Sequence, residues 1–360
     1  MTPAVPDTAL PFPPRLPAEW EPQRAVHIAW PVNTADWPGK YAPVPWAVGE
    51  IIRHIAADEE VFLAAATERH AETARRCLRR AEVNLSNVQI AVFPLDRGWM
   101  RDISPLWVQG SSGESAAVRF RFNGWAKYDN HRLDAKWPPF MARKRGHRLV
   151  EARWNGKPVF MEGGALDPNG ADALLVTEEC LLDPATQRRN PGFSRADYEG
   201  LFAEWLGISR VIWLGKGIAG DDTHGHVDDL CRFVNPHTVV LCREPNGDDP
   251  NHAPLEENRE RLQGVRMRDG RALEVVELPM PAPVVFDGMR LPASYANFLI
   301  TNAKVLVPTF NDPNDRKALG ILAECFPGRE VAGIHAVDLV WGLGTIHCLT
   351  HEEPATPSRT

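Results

Sequence analysis

At 360 residues the chain has the length of about two average domains, and its composition, 44% hydrophobic and 24% charged, is that of a globular protein rather than a disordered one. The formal net charge of −7 comes without a basic tract or stripe, which argues against nucleic acid as a partner and mildly favours small cations. No run of about 18 apolar residues is present, so no membrane partner is expected, and the N-terminus lacks the basic and apolar regions of a signal peptide.

Proline makes up 32 of the 360 residues, nearly twice the usual share of about 5%, and there are 12 tryptophans. Both counts suit a loop-rich enzyme better than a long-helix bundle. The six cysteines, Cys77, Cys180, Cys231, Cys242, Cys325 and Cys348, form no C-x-x-C pair and no regular framework. That spacing excludes a zinc ribbon or disulfide scaffold and points to a reducing, cytoplasmic setting.

In chain order, residues 1–19 form a Pro-rich N-terminal extension, residues 20–351 a single catalytic domain without a low-complexity linker, and residues 352–360 a loose tail. The N-terminal run AVHIAW is followed by a helix over 45–57 and the strand EVFLAAAT. DISPLWVQG and SAAVRFRF flank a Gly/Ser turn at Gly110–Gly113 and read as a hairpin, followed by a helix over 133–145 and HRLVEARW. GGALD and DALLVT flank a second turn at Pro168-Asn169-Gly170. The helix after Ser194 places Tyr198, Leu201, Phe202, Trp205 and Leu206 on one face, with Ser194 and Asp197 as a capping box and Gly207 as the stop. The strand RVIWLG follows. DLCRFV and TVVLCR form a third hairpin around Asn235-Pro236, then a helix over 254–266 and LEVVELP. ANFLIT and KVLVPTF form the fourth around Asn302-Ala303, then a helix over 315–326 and EVAGI. Five ββαβ-like units emerge, the first two ragged, and radial repetition of such units closes one α/β body without linkers.

Acidic or imidazole groups recur shortly before the turns of three units: Asp102 in GWMRDISP, Glu162 in VFMEGGALD, and His226 with Asp228 in DDTHGHVDDLCRF. In a radial arrangement such equivalent positions converge. Each acid taken alone is an ordinary cap or turn former. Five cysteines lie beside apolar residues and read as core thiols, while Cys348 stands in a glycine-flanked run, WGLGTIHCLT. One reading takes His224, His226 and Asp228 as alternating ligands on a strand face, holding zinc in a metal hydrolase. The other takes Cys348 as a nucleophile amid carboxylates. Acids beside a thiol oppose its ionisation unless the substrate is itself a cation, and a planar guanidinium is the cation whose donors match paired carboxylates.

The segments GWMRD (98–102), FNGWAKYDN (122–130), MEGGALD (161–167), TEECLL (177–182), RNPGFS (189–194), WLGKGI (213–218), GHVDD (225–229), SYANFLITN (294–302), NDPNDRKAL (311–319) and IHC (346–348) together resemble the agmatine deiminase family of the guanidine-modifying, or pentein, superfamily, which includes the bacterial type of peptidylarginine deiminase. The resemblance runs from PAEWEPQ at 17–23 to IHCLT at 346–350. It implies a five-bladed α/β-propeller with fivefold pseudosymmetry and a hydrolase acting on C–N bonds of linear amidines. It further implies that Cys348 attacks the guanidinium carbon, that Asp102 and Asp228 clamp the guanidinium nitrogens, that His226 is the acid and then the base, and that Glu162 contacts substrate and orients His226. No metal or organic cofactor is implied. The expected partner is a small cationic guanidino substrate, with a homodimer left open. Trp99 is a candidate for stacking on the substrate's alkyl chain or for a core role. The chain departs from the family pattern at Arg97, where an acidic residue is common, at Ile103-Ser104, and at Leu343 and Thr345. Arg97 either repels an ammonium tail or pairs with Asp96. Arginine, peptidyl-arginine and amidino transfer are therefore alternatives to agmatine.

Overall fold

All four expected hairpins form. The computed structural model describes residue 7 and residues 9–356. In each of four sheets a central strand has an antiparallel neighbour from the hairpin and a parallel neighbour reached through a helix. The central strands are Ser115–Arg119, Ala173–Thr177, Thr238–Arg243 and Lys304–Thr309. Their parallel partners are Leu149–Glu151, Arg210–Leu214, Glu274–Pro279 and Glu330–His335. Central strands covered on both faces read as apolar runs rather than alternating ones, and Ala173–Thr177 is buried at every position.

The raggedness of the first unit has a topological cause. Its strands Gln23–Ala29, Glu60–Ala65 and Val88–Val92 run parallel, and the antiparallel neighbour of the first is Thr350–Pro354 from the far end of the chain. A helix over Glu68–Arg80, capped by Thr67, supplies the extra crossover. The expected loose tail at 352–360 is thus corrected: residues 352–354 lie in a strand. Glu353 is fully buried there and accepts from Arg145 Nε at 2.7 Å, with His147 Nε2 at 2.7 Å and His27 Nε2 at 2.9 Å. A buried carboxylate needs such partners, and an apolar-pattern reading of EEP misses them. Residues 357–360 lie outside the described residues.

The boundary at residue 19 is also not a break. Arg15 and Gln109 exchange two backbone hydrogen bonds of 2.9 Å, Leu16 N donates to Leu206 O, and Glu19 is buried. Positions 1–6 and 8 of the extension lie outside the described residues.

The helix Arg195–Leu206 has the expected reciprocal Ser194–Asp197 capping box. It stops at Gly207 because φ there is +72° and a Cβ would lie 1.9 Å from Pro14 O. The helix expected over 254–266 ends at Leu262, since Gln263 turns extended and Gly264 takes φ +74°. No helix among the described residues is long and apolar enough to cross a membrane.

Candidate active site

Cys348 sits in a four-residue helix, Ile346–Leu349, at the floor of a pocket of about 150 Å³. Asn297 fixes this helix. Its Oδ1 accepts from Thr345 Oγ1 (2.6 Å) and His347 N (3.1 Å), while its Nδ2 donates to Cys348 Sγ (3.0 Å) and Asp229 Oδ1 (3.0 Å). Gly344 keeps the approach to the sulfur open, because a Cβ there would lie 2.8 Å from the Trp99 ring and 3.2 Å from Sγ. Burial pushes the Cys348 thiol well above its usual range, and Asp228, Asp229 and Asp102 push the same way. The thiol therefore carries its proton in these surroundings. Its Sγ lies 3.9 Å from Asp228 Oδ2.

Asp102, Glu162, His226 and Asp228 meet beside it, brought by three short helical turns, each of which leads into a different hairpin. Asp102 Oδ1 accepts from Gly164 N (3.0 Å) and Oδ2 from Trp125 Nε1 (2.8 Å). Trp125 reaches it from a left-handed backbone, φ +56°, a conformation that costs a bulky residue energy and is kept where function fixes it. Burial pushes the Asp102 carboxyl up to about 6. His226 is held with Nδ1 3.9 Å from Asp102 Oδ1 and Nε2 3.5 Å from Glu162 Oε2. Burial opposes its charge, but Asp102, Glu162 and Asp228 overcome that and hold the imidazolium up to about 9. Arg189, absent from the sequence-based set, donates to both Glu162 oxygens at 3.2 and 3.1 Å. Burial raises Glu162, yet Arg189 and His226 leave its carboxyl below the usual range. Asp221 accepts from Gly225 N and His226 N and shapes the loop. Of the adjacent pair, Asp228 keeps the charge against its burial through a 2.7 Å contact with His347 Nδ1. Buried Asp229 is pushed well up by that burial and by Asp228.

Both residues left open by the sequence lie on the pocket wall. Trp99 is both core and wall: its ring stacks on Trp37 at 5.5 Å, its Nε1 donates to Asp36 Oδ2, and it lines the pocket. Arg97 also lines the pocket and pairs with Asp36 at 2.6 Å, not with Asp96, while its guanidinium lies 3.8 Å over the Tyr128 ring. Asp96 instead accepts from Leu133 N.

The zinc trio does not assemble. His224 has φ +63° and turns to Asp183 Oδ2 at 3.0 Å, and Val227–Asp229 is a 3₁₀ turn, so the expected strand alternation is absent. Among the described residues the groups with ligand atoms within 4.8 Å are Glu162, Cys180 and His226, and Asp228, Asp229 and Cys348. Cys180, read as a plain core thiol, thus borders the site. Arg232 and Asn297 were detectable as polar residues inside the apolar runs CRFV and YANFLI, where burial demands a partner. Glu19 and Arg189 carry no such local signal.

A mixed α/β chain that gathers a buried thiol, an imidazole and carboxylates in one cluster beside a pocket has the arrangement expected of a guanidine-modifying enzyme, and a family model agrees. Residues 15–354 match the model of the Porphyromonas-type peptidyl-arginine deiminase, and the chain belongs to that family. The agmatine deiminase of Stutzerimonas stutzeri (strain A1501) is 33% identical over 360 residues, covering 94% of this chain and 95% of the relative. That of Pseudomonas aeruginosa (strain LESB58) is 32% identical over 95% of both chains. The solved agmatine deiminase of Enterococcus faecalis superposes with a TM-score of 0.88 at 27% identity, covering 98% of this chain and 100% of that one.

Proposed function

We propose that the chain hydrolyses agmatine to N-carbamoylputrescine and ammonia through a covalent amidino-thioether on Cys348. The observation that carries this reading is a buried acidic clamp without its cation: Asp228 Oδ1 has no hydrogen-bond partner, and Asp102 lies raised by burial beside the thiol. A guanidinium placed there satisfies both acids and lowers the cost of the thiolate. The relatives' agmatine deiminase activity supports agmatine as that guanidine.

In this scheme Asp102 and Asp228 hold the guanidinium carbon over Sγ, an orientation effect worth several kcal/mol. As the cation arrives the Cys348 thiol gives up its proton to solvent, and the thiolate forms a C–S bond. His226 gives its proton to one nitrogen as the C–N bond breaks, and ammonia leaves. Neutral His226 then takes a proton from water, the hydroxide attacks the same carbon, and the C–S bond breaks as the new hydroxyl returns its proton to the departing thiolate, which releases the carbamoyl product. Glu162, held by Arg189, orients His226. No metal or organic cofactor enters these steps. We further read the five sheets as blades of a closed α/β-propeller, a reading supported by the pairing of Thr350–Pro354 with Gln23–Ala29. The scattered cysteines, all free, support a cytoplasmic setting.

The scheme needs Asp102 and the Cys348 thiol ionised and His226 protonated. With the thiol held well above its usual range, kcat/KM is therefore expected to climb through about pH 6 as Asp102 loses its proton, to go on climbing as the thiol ionises, and to stop climbing near pH 9 as His226 loses its own. A pH–rate profile checks both breaks, and a climb that stops near the ordinary histidine value of about 6.5 contradicts the assignment of His226.

Arg97 favours a second reading, a guanidine with an anionic tail. Removing its charge strengthens an ammonium tail's attraction to Asp36 and weakens a carboxylate's to the wall. Arg97→Ala is expected to shift the kcat/KM ratio of agmatine to 4-guanidinobutyrate toward agmatine by about tenfold, the size of a charge contact across several ångströms of protein. An ammonia-release screen over agmatine, arginine, 4-guanidinobutyrate and peptidyl-arginine, with Cys348→Ala as control, decides between the readings.

A further inference from the structure

The residue before the nucleophile has no part in the scheme above, yet its ring is held at both nitrogens. His347 is buried, with Nδ1 2.7 Å from Asp228 Oδ2 and Nε2 2.9 Å from Glu19 Oε2. Each contact needs a proton between nitrogen and oxygen, so the trio shares two protons among three groups. Glu19 is itself pinned: Arg232 Nη2 donates to the same Oε2, and Ile300 N donates to Oε1 at 2.6 Å. Arg232 is anchored in turn by Asp167 Oδ1 (2.6 Å) and by the carbonyls of Ala296 (3.2 Å) and Phe298 (2.9 Å), which flank Asn297. Burial and the Arg101 and Arg232 guanidiniums press the His347 ring toward its neutral form, while Asp228 draws it toward the charged one.

The consequence falls on Asp228. One of its oxygens is anchored by the ring and the other, buried, has no partner. A carboxylate held at one oxygen has a fixed plane, and the free oxygen then points in one direction only. We propose that His347 is a positioning residue which, braced by Glu19 from the N-terminal segment, fixes the Asp228 carboxylate for the guanidinium. The proposal rests on the guanidine-deiminase reading and adds to it a buried carboxylate–imidazole–carboxylate brace.

The test uses the full-length enzyme carrying Glu19→Gln, His347→Gln or Asp228→Asn, with folding checked by near-ultraviolet circular dichroism. Glu19→Gln and His347→Gln are each expected to lower kcat/KM for agmatine by about a hundredfold, the effect of a displacement near 1 Å. Alkylation of Cys348 by iodoacetamide, a neutral reagent that needs no clamp, is expected to stay within about threefold of wild type. Adding Glu19→Gln to Asp228→Asn is expected to change nothing further, because the braced group is already gone. If one variant fails to fold, the other carries the test. Turnover within about twofold of wild type in a folded variant, or alkylation falling in step with turnover, overturns the proposal. Crystal structures of the variants report on the brace whatever the substrate is. A rotated Asp228 carboxylate supports it, and an unmoved one overturns it. A wild-type enzyme that releases ammonia from no guanidine, with Asp228 still rotating in the variants, fails the functional reading and leaves the brace standing.

Discussion

Cys348→Ala is expected to stop ammonia release, with a loss on the order of ten-thousand-fold or more, since removing a covalent nucleophile leaves only binding and orientation. The change takes away one sulfur, and what its surroundings lose is the 3.0 Å contact from Asn297 Nδ2. The variant should therefore fold and still bind the substrate cation between Asp102 and Asp228. The other five cysteines offer no substitute. Cys180 is the nearest to the chemistry, but burial pushes its thiol up to about 12, with no resident cation to favour the thiolate beyond Arg189, which is already paired to Glu162. Steady-state ammonia release by the purified variant, with thermal unfolding measured alongside, checks the expectation. Appreciable turnover in the folded variant leaves the covalent scheme without its first bond.

Gly164→Ala is expected to be damaging as well, though the glycine performs no chemistry. A Cβ there would lie 2.4 Å from His226 Nδ1 and 3.1 Å from both Asp102 Oδ1 and Asp228 Oδ2. Real Cβ atoms do not approach so closely, so the imidazole or the backbone must move. The backbone is itself held by the Gly164 N to Asp102 Oδ1 bond. The strain is worth about 1–3 kcal/mol in stability, a modest fraction of what holds a chain of this size. The effect on rate is larger: a shift near 1 Å in the acid–base group costs about a hundredfold in kcat. Gly320→Ala is the control, because its site lies in a helix with nothing within 4 Å, and it should leave rate unchanged and stability equal or slightly higher. Equal effects of the two substitutions on kcat would contradict the packing argument.

The order of the secondary structure could be read along the chain because each element announces itself within about ten residues. The hairpins carry turn chemistry, and the helix after Ser194 carries its own cap and stop. What could not be read is non-local. The strand Thr350–Pro354 looks polar because Glu353 meets its partners from two other segments, His27 from one and Arg145 with His147 from the other, and nothing near residue 353 indicates them. The expected strand face through His224, His226 and Asp228 failed for the opposite reason: alternation in sequence was present, but the Asp221 carboxylate captures the amides of Gly225 and His226 and winds the segment into a turn. Asp102, Glu162, His226, Asp228 and Cys348 lie in one buried cluster, of which Asp102 and Cys348 line the pocket, and each stands out in the sequence as a polar group where a buried apolar one belongs. Their supports are harder to see. Asn297 and Arg232 interrupt apolar strands and can be noticed, whereas Glu19 lies in a proline-rich stretch that resembles a solvated leader and is in fact buried against His347 and Arg232.

Arg97 shows how the pocket wall departs from a plain acidic lining. Its pairing with Asp36 neutralises much of its field, and its seat over Tyr128 holds the guanidinium in place. The charge that an incoming tail meets is thus set by Arg97, Asp36 and Asp222 together, all of which line the pocket. Sequence alone could place Arg97 near the site but not choose its partner.

The central claim is the bond between Cys348 and the guanidinium carbon. Rapid acid quenching of enzyme mixed with agmatine, followed by intact-protein and peptide mass spectrometry, tests it most directly. The account predicts an adduct equal to agmatine less ammonia, borne by the peptide that contains Cys348, appearing before steady state and absent from Cys348→Ala. Steady release of ammonia with no adduct at any quench time, or an adduct on another residue, would contradict it.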